Sequence, residues 1–89
     1  MDHDPHMLEL RLRSGEIVTF DGRVLEIFRP EGASARVHAA QIEAAVADGP
    51  DGTSTVRFGD GVGVRFAREE TPACERLLAA LAESHRAYD

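Results

Sequence analysis

The sequence predicts a small α+β domain: an antiparallel bent sheet, or partly open barrel, of about seven short strands capped by one C-terminal helix. Three observations carry this. Short runs of residues alternate apolar with polar; turn dipeptides of the Asp-Gly kind punctuate them; and a Thr-Pro start opens a final segment whose apolar residues recur at spacings of three and four.

The first run, from Leu8, sets Leu8, Leu10 and Leu12 against Glu9, Arg11 and Arg13, the two faces of a half-buried strand. Ser14-Gly15 breaks it. In the second run, Glu16 to Phe20, Val18 and Phe20 share a face. Asp21-Gly22 follows as a dipeptide that tolerates the positive φ angles of a tight hairpin. The third run, Arg23 to Arg29, holds Val24, Leu25, Ile27 and Phe28 on both faces, which predicts cover on both sides, before Pro30-Glu31-Gly32 ends it.

Between Arg36 and Val46 the alanine content and the four-residue spacing of Ile42 and Val46 would also suit a helix. Val37 between Arg36 and His38, and Ile42, Ala44 and Val46 alternating with Glu43 and Ala45, favour two short strands about a bend near Ala39 to Gln41. Asp48 to Gly52 reads as a loop. A hairpin follows, with Val56 and Phe58 on one arm, Gly59-Asp60-Gly61 as the turn, and Val62, Val64 and Phe66 on the other. Thr71 is expected to cap the last element and Pro72 to open it, with Cys74, Leu77, Leu78 and Leu81 as its apolar stripe.

Eighty-nine residues make one domain, with residues 1–7 expected as a disordered tail, 8–67 as strands and 72–87 as the helix. Sixteen acidic against ten basic residues leave a net charge of −6, which disfavours nucleic acid and anionic surfaces in general. All the basic residues are arginine and there is no lysine, asparagine or tryptophan, a bias expected of a GC-rich bacterial genome. A single cysteine makes no internal disulfide, and no segment reads as a secretion signal or membrane span, so the expected location is cytoplasmic.

The run Val18-Thr19-Phe20-Asp21-Gly22-Arg23-Val24-Leu25-Glu26-Ile27, with the strand, bend and isoleucine of Val37 to Ile42, resembles bacterial pleckstrin-homology-like domains of unknown function. The resemblance spans Leu8 to the end of the chain, although the helix lacks the tryptophan of eukaryotic relatives. It implies a seven-stranded bent barrel plugged by a C-terminal helix, and a binding or scaffolding role without a reaction.

The expected function is therefore a non-catalytic interaction module for a protein partner, with Ile42, Ala44 and Val46 as a small-residue edge open to an incoming segment. Self-association is the alternative: Phe28, with Leu25 and Ile27, would place an uncovered apolar sheet face in a homodimer. A more distant alternative is anionic lipid, for which the resemblance implies basic residues about the first hairpin; Arg11, Arg13, Arg23 and Arg29 lie in or near those strands. Outward arginines pairing across the sheet with Glu9, Glu16 and Glu26 explain the same residues without a ligand.

Met1-Asp2-His3 has the amine and imidazole of a square-planar Cu(II) or Ni(II) chelate, but a disordered tail accounts for it without a metal and none is assigned. No catalytic residue or cofactor is assigned either. Cys74 lies near a helix start, which lowers a thiol pKa, yet it also falls on the apolar stripe as a small hydrophobe, with neither His38 nor His85 close in sequence. Gly59 to Gly63 lies between strands and opens no helix, so it is a turn rather than a phosphate loop.

Overall fold

The computed structural model describes residues 7–59 and 61–87, with side chains through Ser84. Seven antiparallel strands form two sheets: β1 (Leu8–Arg11), β2 (Ile17–Phe20), β3 (Val24–Phe28) and β4 (Ser34–His38) make sheet A, and β5 (Ala45–Asp48), β6 (Ser54–Gly59) and β7 (Val62–Phe66) make sheet B. Each sheet is a meander in which strands pair with their sequence neighbours, and the two do not close into a barrel. One helix, α1 (Thr71–Ala87), follows. The contested stretch is strand, bend, strand: β4 leads into a 3-10 turn at Ala39–Gln41, as expected, but β5 begins only at Ala45, so Ile42 and Ala44, expected within that strand, precede it.

Turn chemistry sets the registers. At Leu12–Glu16 the Gly15 amide donates to the Leu12 carbonyl and the Leu12 amide to Glu16, both at 2.9 Å. The β3–β4 connection repeats the arrangement: Gly32 donates to Arg29 at 3.0 Å and Arg29 to Ala33 at 2.8 Å. The two turns abut. A Cβ on Gly15, whose φ is +96°, would sit 3.1 Å from Pro30 Cγ, so both the backbone angle and the neighbour require glycine there.

The β2–β3 turn differs in detail from its sequence reading. Of Asp21 and Gly22 only the glycine adopts positive φ, +93°. The Asp21 carboxylate instead accepts the Arg23 and Val24 amides, each at 2.8 Å, as aspartates at the head of a turn do. Those bonds hold its carboxyl below the ordinary value of 3.8. A depressed folded pKa contributes stability that is present above the unfolded value and lost as pH falls through the folded one. Asp21→Ala removes both bonds and, because the turn is exposed and its amides can turn to water, should cost only about 0.5–1 kcal/mol at pH 7. In urea titrations, the gap between this variant and the parent should narrow steadily below pH 4; a constant gap down to pH 2 would contradict the assignment.

The inner rows of sheet A, read along the register, are Leu8, Phe20, Leu25 and Val37, then Leu10, Val18, Ile27 and Ala35. They bury Leu10, Val18, Phe20, Leu25 and Ile27 against Val56, Phe58, Val64 and Phe66 of sheet B and Cys74, Leu77 and Leu81 of α1. The core therefore takes one face from each sheet and one stripe from the helix. Sequence alternation in β3 suggested cover on both faces; instead Leu25 and Ile27 point in, while Phe28 remains 41% exposed. Strand residues alternate strictly, and sheet B and α1 occupy only the inner side.

The start of α1 also departs from expectation. Thr71 has helical angles, φ −53° and ψ −45°, and its hydroxyl donates to the Arg68 carbonyl at 2.8 Å instead of accepting an amide. A 3-10 turn at Arg68–Glu70 runs directly into the helix and moves the cap upstream. The Glu70 carboxylate accepts the Ala67 amide at 2.9 Å and, with its other oxygen, the Arg13 amide at 2.8 Å. Fourteen residues on, the Ser84 hydroxyl donates to the Gly22 carbonyl at 2.6 Å. Those residues span about 21 Å of helix, so α1 is fastened to the turns at both ends of sheet A.

Candidate apolar groove and edge strand

Four strands end a sheet, and three of them carry a polar or charged device along the edge. β1 presents the Glu9–Arg11 ion pair at 2.8 Å and faces the start of α1 across a cleft shared with Pro72 and Ala73. β4 presents Arg36, paired to Glu26 at 3.1 Å, and His38, whose Nδ1 accepts the Ala40 amide at 3.1 Å. β7 presents Arg65, and its Gly63 carbonyl accepts Arg29 Nη2 at 3.3 Å. β5 is different: Ala45, Val46 and Ala47 are all exposed, and Asp48 supplies its one charge at the last position. Natural edge strands are commonly blunted by charge or by cover. This one is not.

Val46 stands in register with buried Val56 and Val64, yet is 50% exposed. Its inward row continues past the end of the core. Next to the start of β5 lies a groove of about 360 Å³ lined by Ala39, Ile42 and Ala44 of the segment before the strand and by Leu78, Leu81 and Ala82 of α1. The 3-10 turn places Ala39 and Ile42, with the Ile42 amide donating to the Ala39 carbonyl at 3.2 Å, and α1 supplies the opposite wall. All six lining side chains are hydrocarbon. Small residues at 39, 44 and 82 leave the volume, and Leu78 and Leu81 give it an apolar floor.

Of the residues singled out from sequence, Ile42 and Ala44 meet in this groove, with Val46 along the adjoining strand. Phe28 is not part of it. It lies on the outer face of sheet A next to Ile17, in a row flanked by the Glu9–Arg11 and Glu26–Arg36 pairs. The helix side of the groove, Leu78, Leu81 and Ala82, was absent from the expected partner set; its signal was the apolar stripe, read there only as core-facing.

The four arginines considered for lipid do not converge. Arg11 pairs with Glu9, Arg13 with Glu69, and Arg29 with Glu16, while Arg23 sits in the β2–β3 turn at the far end of the sheet. A different set does converge: Arg29, Arg57 and Arg65, with Thr55, line a second cleft of about 360 Å³ beside Glu16 and Gly63.

Cys74 is buried on the helix stripe, and desolvation, aided by the Glu75 charge, pushes its thiol pKa up. The protonated thiol is a packing group, not an activated nucleophile. Among the described residues no three histidine, cysteine or acidic side chains gather at a metal-binding spacing, and no helix is long and apolar enough to cross a membrane. The His3 chelate considered above, and all of the expected tail except Met7, lie outside the described residues.

No protein-family model, no curated protein and no solved structure matches this chain.

Proposed function

We propose that this domain is a non-catalytic interaction module, of the pleckstrin-homology-like kind its sequence resembles, that receives an extended protein segment along β5 and in the adjoining groove between residues 39–44 and α1. The unblunted edge is the observation that carries this reading: three exposed apolar residues beside a hydrocarbon groove, where the other three edges are charged, capped or covered. An incoming strand gains main-chain hydrogen bonds from β5 and inserts alternate side chains among Ile42, Ala44 and Leu81. Glu43 and Asp48 flank the strand, so the segment that fits is apolar and alternating at its centre, with basic residues at its ends.

A soluble peptide of alternating valine and threonine with arginine at each end is the probe. Titrated into the 15N-labelled domain, it is expected to shift the amides of residues 42–48 and 78–82 saturably. Ala44→Glu, which puts a charge into the groove without touching a fully buried core position, should weaken that binding at least about tenfold, or 1.4 kcal/mol. Failure to saturate, or equal binding by the variant, sinks the reading.

Phe28 supports a second reading, a homodimer through the outer face of sheet A, where it stands exposed beside Ile17. Light scattering separates the two: a dimer abolished by Phe28→Glu supports it, and a monomer at high concentration removes it while leaving the groove intact.

A further inference from the structure

We propose that the cleft between the tip of sheet A and β7 binds a phosphate monoester through Arg29, Arg57 and Arg65. The site is separate from the groove and rests on different residues. Thr55 pairs with Arg65, and Arg57 with Gly63, across β6 and β7. Arg57 and Arg65 are therefore diagonal neighbours on the outer face of sheet B, roughly 7–8 Å apart at the backbone and within mutual reach of a small ligand. Gly63, lying between them, has no side chain to fill the space. It could not carry one cheaply: a Cβ there would come 3.0 Å from the Val56 carbonyl.

Arg29 arrives from the other sheet. Its guanidinium pairs with Glu16 and donates through Nη2 to the Gly63 carbonyl at 3.3 Å, which holds the planar donor group at the cleft wall before any ligand enters. Arg57 and Arg65 have no ion pair with any described residue, whereas Arg11, Arg13, Arg29 and Arg36 all do. Two like charges side by side repel each other, and an anion between them relieves that repulsion. Among the described residues lining the cleft, three guanidiniums stand against one carboxylate. Asp60 is not one of the described residues.

Among the described residues, the excess of two positive charges matches a phosphate monoester, which carries about −1.5 to −2 near neutral pH, better than it matches a single carboxylate. Guanidinium forks suit phosphate oxygens, and the Thr55 hydroxyl is available as a further donor. A volume of about 360 Å³ admits the phosphate with a small attached group.

The probes are glycerol 3-phosphate in low-salt buffer and vesicles containing phosphatidic acid, which carries the same headgroup chemistry on a membrane. Saturable shifts of the amides of residues 55, 57, 63 and 65 with the soluble ester place the ligand in solution; cosedimentation with the vesicles alone places it on a lipid surface. In either arm the double variant Arg57→Gln/Arg65→Gln should weaken binding at least tenfold, while Arg23→Gln, at the other end of sheet A, should leave it unchanged. Circular dichroism checks that the exposed substitutions retain the fold. No saturable binding in both arms, or binding unaffected by the double variant, overturns the proposal.

Discussion

Replacing Leu77 by alanine is expected to lower unfolding stability by about 3 kcal/mol, the largest single-residue loss among the substitutions considered. Leu77 is fully buried at the centre of the α1 stripe, between Cys74 and Leu81, and belongs to the same core as Phe58 and Phe66 of sheet B and Leu25 and Ile27 of sheet A. The truncation removes hydrocarbon where both sheets and the helix meet, so no single element can move to refill the space without disturbing the other two. A domain of this length has a total stability of roughly 4–13 kcal/mol, so the loss is a large fraction of it. A urea midpoint with unchanged slope measures it directly. Ala79→Ser, on the exposed side of the same helix, is the comparison and should stay within about 0.5 kcal/mol of the parent. A Leu77→Ala loss as small as that of Ala79→Ser would mean that the helix is not docked through this residue.

The second large effect is expected at the opposite margin of the core. Glu16 and Arg29 continue the inner row of sheet A beyond Val18 and Ile27, where the sheets part, and their side chains are 12% and 31% exposed. Arg29→Ala should cost about 2 kcal/mol, because it leaves a mostly buried carboxylate with only the Ser14 hydroxyl, at 3.3 Å, as a side-chain partner. The partial exposure of Arg29 keeps the value below that for breaking a fully buried pair. Removing both charges with Glu16→Leu/Arg29→Met should recover much of the loss, since hydrocarbon at a core margin needs no partner. A double variant as unstable as the sum of its singles would show that the two residues act independently.

The elements were legible because each is specified locally. Period-two alternation in Leu8 to Leu12, Val56 to Phe58 and Val62 to Phe66 and the three-and-four spacing of Cys74, Leu77 and Leu81 all act within a few residues of chain. The same holds for Val37 to Val46, where polar neighbours decided between strand and helix. Thr71 was misplaced as a cap because the acidic run before it is itself able to turn, and the carboxylate that caps, at Glu70, is identified only by its reach back to Ala67 and across to Arg13. That reach depends on where α1 docks, which periodicity does not encode.

Site residues divide along the same line. Ile42 and Ala44 fall in the groove because they adjoin the bend that the sequence marks. Phe28 parts from Leu25 and Ile27 because an even step along a strand keeps a residue on its face and an odd one reverses it. Arg57 and Arg65 alternate with Val56, Phe58, Val64 and Phe66, which is enough to place them on the outward face of two strands, but their meeting with Arg29 requires the two sheets to be assembled.

The meander order of both sheets bears on how the chain reaches this state. Every strand pairing joins neighbours in sequence, so each hairpin closes a short loop at small entropic cost and can form within microseconds. The long-separation polar fastenings are few among the described residues: Glu70 to Arg13 spans 57 positions, Glu69 to Arg13 spans 56, Ser84 to Gly22 spans 62, and Arg29 to Gly63 spans 34. All of them hold one preformed piece against another. Docking of the two meanders and the helix is therefore the step expected to limit the rate, and Glu70→Ala is expected to speed unfolding more than it slows folding.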